Sequence, residues 1–192
     1  MAALAAAVRQ LPPRCGPVRL AAVDGHAGSG KTTFAARLSA ELDEAPVLHL
    51  DDLSRHEDFF GWPERLREQV LEPLRHGRTA RPRVYDWERR DFTSRAPAVL
   101  PPCPVVLVEG VGAGRRALRP YLSCLVWMDM PAQQAWERGL RRDGAALRDF
   151  WTQWRRAESA HFRRDPSDPY ANFLVREGPG GYEVHTGPLG IT

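Results

Sequence analysis

The run Gly25-His26-Ala27-Gly28-Ser29-Gly30-Lys31-Thr32 fits the pattern G-x-x-x-x-G-K-T, a phosphate-binding loop. Its glycines let the backbone turn where a Cβ would clash. The turn aims successive N–H groups at one point, and the helix that opens near Lys31 adds its positive end. Lys31 can reach the β- and γ-phosphates of ATP, Thr32 can offer a hydroxyl to Mg²⁺, and Thr33 continues into the helix. The alternative is a glycine-rich turn with a chance Lys-Thr, but an apolar strand before it and an amphipathic helix after it favour the loop. Lys31 is the only lysine of the chain, and every other Lys/Arg position is arginine. A compact, flexible ammonium is kept where phosphate must be reached. Arginine-rich usage plus chance is the plain alternative.

Further groups fall where such a loop needs them. Asp51 and Asp52 follow the apolar run 47–50, and Glu109 follows the run 105–108. In open parallel sheets ligands sit at the carboxyl ends of strands, so acids there are candidates for metal binding or catalysis. A helix cap or Asx turn is the alternative for the Asp pair. Arg138, Arg141 and Arg142 cluster after the fourth strand and could close over phosphates as a lid, although a positive helix C-terminus would look the same.

The elements that must carry these groups alternate. Residues 18–23 predict a strand and 33–42 a helix with Phe34, Leu38 and Leu42 four apart. Strands are expected at 47–50, 105–108, 124–130 and 172–175, and helices at 62–76 and 131–142, with Pro73 loosening the last turn of the former. Residues 147–162 have helical spacing and predict a packed aromatic face, with His161 structural. The stretch 77–102 has no helical period; its Tyr85-Asp86-Trp87 belongs either to a functional loop or to a hairpin that packs Trp87 inward. The expected fold is α/β: a doubly wound, five-stranded parallel sheet with flanking helices and a short lid, in a single domain 1–192. Residues 1–17 form a short helix or frayed arm, and 178–192 a glycine-rich tail with one extended piece at 182–186.

Composition narrows the class. At 192 residues and a net charge of +3 the chain is of ordinary domain size and only mildly basic. Its arginines are interleaved with acids, and no basic stripe of the kind that follows nucleic acid is present. Cys15, Cys103 and Cys124 have neither metal spacing nor a disulfide pattern, which suits a reducing cytoplasm. The first residues lack the basic start and apolar core of a signal peptide, and no run is long enough to span a membrane. A homo-oligomer is compatible with all of this.

Taken in order, these motifs resemble the uridine/cytidine kinase family of P-loop small-molecule kinases. The resemblance runs from about residue 18 to 175 through the phosphate loop, Leu48-His49-Leu50-Asp51-Asp52, Trp62-Pro63-Glu64, Pro82-Arg83-Val84-Tyr85-Asp86-Trp87, Val106-Leu107-Val108-Glu109-Gly110, residues 138–143 and Tyr170-Ala171-Asn172. It implies transfer of the ATP γ-phosphoryl group to a small-molecule hydroxyl, with a nucleoside favoured. Asp51 matches the acid facing the acceptor hydroxyl, with Asp52 beside it on the substrate side. Thr32 and Glu109 match positions near magnesium, to which Asp51 also contributes. Glu64 matches an acid on the ribose hydroxyls, Tyr85 a wall of the nucleoside site, and Arg138, Arg141 and Arg142 the lid arginines. The departures lie on the acceptor side. Leu53-Ser54 follow the acids where the family runs toward Phe-Tyr, Arg90 stands nearest the place of a base-side histidine, and Glu64 is longer than the usual Asp. A kinase for a sugar, vitamin precursor or antibiotic would share the ATP half. A nucleotide-dependent switch is the rival from another class.

Overall fold

A computed structural model of the chain describes residues 1–93 and 98–190. Its centre is a sheet whose middle strands are buried on both sides. β1 (Arg19–Asp24) pairs in parallel with β5 (Val105–Glu109) and β6 (Leu122–Met128); β2 (Val47–His49) joins β5, and β7 (Phe173–Gly178) joins β6, also in parallel. Alternate residues serve opposite faces, as the pleat requires. Leu20, Ala22, Leu48, Val106 and Val108 enter one core, while Ala21, Val23, Leu107, Cys124 and Val126 enter the other.

The second core is covered by Phe34, Ala35 and Leu38 of α2 (Lys31–Glu41) and by Leu4, Ala5 and Val8 of α1 (Ala2–Gln10). Of the two expectations for the N-terminal arm, the packed helix is therefore the one found. The first core is covered by Trp62, Leu66, Val70, Leu71 and Leu74. Most of these lie on one continuous helix made of α3 (Pro63–Leu66), a π turn (Arg67–Leu71) and α4 (Glu72–Arg75). Pro73 has no N–H to give the carbonyl of residue 69, and the disturbance is taken up just upstream, where the Glu72 N–H reaches back to the Arg67 carbonyl.

One difference from expectation and one choice between two alternatives concern strands. The sheet has a sixth member, β8 (Gly181–Thr186), which pairs antiparallel with β7 from Phe173–Thr186 to Gly178–Gly181. A tight Pro179-Gly180 link leaves no room for a crossover, so the strand must return antiparallel. The last two residues of the expected tail lie outside the described residues. In the stretch 77–102, β3 (Val84–Asp86) and β4 (Asp91–Thr93) form a hairpin. The Asp86 carboxylate accepts the N–H groups of Glu88 and Arg89 to stabilise its turn. The residue it buries is Tyr85, at 4% exposure, rather than Trp87.

The C-terminal layer holds α5 (Ala132–Asp143) and α6 (Arg148–Arg164). His161 on α6 is buried and stacked on Phe60, with ring centroids 4.5 Å apart. Burial, with Arg115 nearby, pushes its pKa down to about 4. In the unfolded chain it titrates near 6.5, so the unfolded state binds the extra proton first as pH falls. Stability contributed by the neutral ring is present above pH 6.5 and lost on acidification toward pH 4, by on the order of 3 kcal/mol at most. Denaturant melts of wild type and His161→Phe should show a shallower stability loss over that window in the variant. Parallel pH profiles would contradict this account.

Candidate active site

The carboxyl edge of the sheet gathers the chemistry. β1 ends in Asp24, which is fully buried. Its carboxylate accepts the N–H groups of Gly25 at 2.7 Å, Gly112 at 2.9 Å and Gly114 at 2.8 Å. Burial pushes its pKa up, and those amides pull it back. Asp24 therefore clasps the start of the phosphate loop to the turn after β5. Asp24→Ala leaves three buried donors without an acceptor, each costing about 1–3 kcal/mol. Thermal unfolding should drop by at least roughly 5 °C. An unchanged melting temperature would exclude the clasp.

The loop itself is shaped by close approach. At Gly28, φ is +88°, and a Cβ would lie 2.0 Å from the Ala135 carbonyl oxygen of α5, so only glycine fits beneath that helix. Among the described residues no protein acceptor takes the N–H of Gly28 or Gly30, which leaves them for an anion. Lys31 is the first residue of α2, is 7% exposed, and curls back so that Nζ donates to the His26 carbonyl at 3.0 Å. Around the loop lies a cavity of about 320 Å³ lined by Gly28, Lys31, Thr32, Thr33, Arg138 and Arg142, among others. Arg138 and Arg142 are one turn apart and share the face of α5 turned to the cavity; Arg141 lies between them in sequence, off that face, and is exposed.

On the other side Thr32 Oγ1 donates to Glu109 Oε1 at 3.1 Å, and His49 Nδ1 donates to the same oxygen at 2.6 Å. Strand register explains the meeting, since Glu109 lies opposite both Val23 of β1 and His49 of β2. The bond to Glu109 raises the pKa of His49. Asp51 and Asp52 open the short turn Leu50–Leu53 directly after β2. Asp51 is exposed to solvent, although neighbouring protein crowds its carboxyl group. Burial and the Glu109 charge push its pKa up, and Lys31 pulls it down. Burial likewise raises that of Asp52, opposed by His49. Thr32, Glu109 and Asp51 carry hard oxygen donors of the kind that could hold Mg²⁺. Among the described residues no group of three His, Cys, Asp or Glu side chains is placed to hold a metal ion by itself.

The acceptor-side residues are more scattered. Tyr85 shares a hydrogen bond with His56 Nδ1 at 3.1 Å and packs edge-on to Trp87. Trp87, Phe59, Phe150 and Trp154 then join the hairpin, the preceding loop and α6 through ring contacts. Glu64 is exposed and paired with Arg67, and Arg90 is exposed in the hairpin turn with a positive φ of 55°. Neither is brought to the phosphate loop. The aromatic face of α6 is present as expected, but it also carries Glu158, which reaches His26 and Ala27 of the loop. No local sequence signal marks Asp24, His49 or Glu158 for these partners.

The sheet order, the loop after its first strand and the covering helices define an α/β P-loop NTPase fold. No protein-family model matches the chain. The uridine kinase of Borrelia duttonii is 25% identical over 186 residues, covering 84% of this chain and 87% of that protein. Two solved structures share the fold at 23% identity. One, described as a possible uridine kinase from Bacillus stearothermophilus, has a TM-score of 0.63 and covers 89% of this chain and 94% of its own. The other, described as a putative fructose transport system kinase from Silicibacter sp. TM1040, has a TM-score of 0.64 and covers 83% and 93%. The resemblance to uridine kinases is thus borne out in sequence over most of the chain, and the two solved structures share the fold.

Proposed function

We propose that the protein is an ATP-dependent, magnesium-requiring kinase that phosphorylates a hydroxyl of a small molecule, most favourably a nucleoside such as uridine or cytidine. One observation carries this: Thr32 of the phosphate loop bonds Glu109 beside a cavity lined by Lys31, Arg138 and Arg142, and the turn that bears Asp51 directly follows β2, whose His49 holds the same Glu109 oxygen. A group suited to accept a hydroxyl proton thus meets the groups suited to hold a transferring phosphoryl. In this account Lys31 and the loop amides bind the phosphates, and Arg138 and Arg142 balance charge on the transferring group. Asp51 orients the acceptor hydroxyl and takes its proton, while Thr32 and Glu109 would hold Mg²⁺. The ion would neutralise charge building between the β- and γ-phosphates. The three free thiols, and the lack among the described residues of any helix long and apolar enough to cross a membrane, support a cytoplasmic enzyme.

A different acceptor, such as a sugar, vitamin precursor or antibiotic, is the second possibility. It is favoured by the exposed Glu64–Arg67 pair and by the ring-rich acceptor side. An ATP-depletion screen over nucleosides, sugars and vitamin precursors separates the two. If Glu64 swings in to hold a ribose diol, uridine should outrun 2′-deoxyuridine by roughly tenfold or more, the cost of an unpaired buried carboxylate. Equal rates would remove Glu64 from that role.

A further inference from the structure

Glu158 is fully buried in the middle of α6, and its carboxylate gathers donors from three parts of the chain. Oε1 accepts from His26 Nδ1 at 2.6 Å and from the Trp136 indole of α5 at 3.1 Å. Oε2 accepts from the Trp154 indole at 2.8 Å and from the backbone N–H of Ala27 at 3.2 Å. The imidazole of His26 is held edge-on among Trp127, Trp136 and Phe162, so it has little freedom to leave. A buried carboxylate is costly unless hydrogen-bonded, and here the donors that satisfy it include two from the phosphate loop itself. Here it engages the Ala27 amide, between the first two glycines, and leaves the Gly28 and Gly30 amides free.

We infer that Glu158, acting through His26 and the Ala27 amide, is a positioning residue for the phosphate loop: it fixes the loop in its phosphate-binding shape. The same carboxylate ties the loop to α6, whose Phe150 and Trp154 contact Phe59 on the acceptor side. The tie thereby gives the two halves of the cleft a common mechanical point.

Because this presupposes nucleotide binding at the loop, wild-type protein is titrated first with N-methylanthraniloyl-ADP and Mg²⁺. A wild type that does not bind refutes the nucleotide-binding proposal itself. With wild-type binding established, Glu158→Gln keeps the shape but loses the charge, and should weaken binding by about tenfold or more as the loop loses its fixed geometry. The indole N–H resonances of Trp136 and Trp154 should shift in the same variant. Trp136→Phe removes one donor from the carboxylate but keeps a ring against His26 and leaves the bonds to His26 and Ala27 in place, so its affinity should stay at the wild-type value. If Glu158→Gln does not fold, His26→Gln tests the same tie from the loop side and should weaken binding similarly. A folded Glu158→Gln or His26→Gln with wild-type affinity would overturn the assignment. So would an equal loss in Trp136→Phe, which would mean that packing around the carboxylate, not its hold on the loop, is what counts.

Discussion

Lys31→Ala is expected to lower phosphoryl transfer by on the order of 10²–10³ or more, the cost of removing a preorganised positive group from the transferring phosphate. The ammonium has no acidic partner among the described residues and only one hydrogen bond, to the His26 carbonyl. That bond holds it over the cavity in readiness for phosphate. Its loss should cost about 1 kcal/mol of stability, small beside the effect on rate. The variant should therefore keep its circular dichroism spectrum and lose both turnover and nucleotide affinity. Unchanged turnover in a folded variant would remove the phosphate loop from the chemistry. A variant that fails to fold would show that Lys31 supports the core, contrary to its place at the cavity wall.

Asp51→Asn should slow the chemical step by on the order of 10²–10⁴ at saturating ATP and Mg²⁺, as expected when a general base is lost. The amide keeps the shape of the side chain but cannot take a proton. ATP affinity should survive because Lys31, Thr32 and the loop amides are untouched. Asp52→Asn should cost much less. Both acids lie in the same short turn, but Asp51 alone has its carboxyl pulled down by Lys31, whereas Asp52 is balanced by His49. The direction of the Asp51 shift adds a pH signature. Burial and Glu109 raise its pKa, so the base is lost earlier on acidification than an ordinary aspartate would be. Nucleotide and metal at the site change that balance, so the limb belongs to the loaded enzyme. Single-turnover rates for the two variants decide the assignment, and a larger loss in Asp52→Asn would move the catalytic role one residue along.

What could be seen in the sequence follows from how local each feature is. The phosphate loop is a contiguous run, and its glycines, Lys31 and Thr32 announce their geometry together. Glu109 and the Asp51-Asp52 pair were legible because parallel strands bring their carboxyl ends to one edge. The Thr32–Glu109 bond between positions 77 residues apart follows from that edge. The choice between Arg138, Arg141 and Arg142 needs the rotation of α5 about its axis, which the pattern alone does not give. Glu158 is the clearest miss. It occupies an inward position of an aromatic helix face, and its partner His26 lies 132 residues away. Its spacing marks it as inward, but nothing local names the partner that its carboxylate reaches. The extended piece at 182–186 was legible, but its membership of the sheet was not: β8 is a mostly polar edge strand with weak apolar alternation, and its pairing depends on a two-residue turn rather than on its own composition.

The central claim is that the γ-phosphate of ATP goes to a hydroxyl and not to water. Phosphorus NMR of purified protein with Mg-ATP and a panel containing uridine, cytidine, simple sugars and vitamin precursors tests it directly. The account predicts ADP together with a new phosphomonoester signal for at least one acceptor, a nucleoside first, with neither formed by Lys31→Ala. Inorganic phosphate released at the same rate with and without every acceptor, and no phosphomonoester, would contradict it.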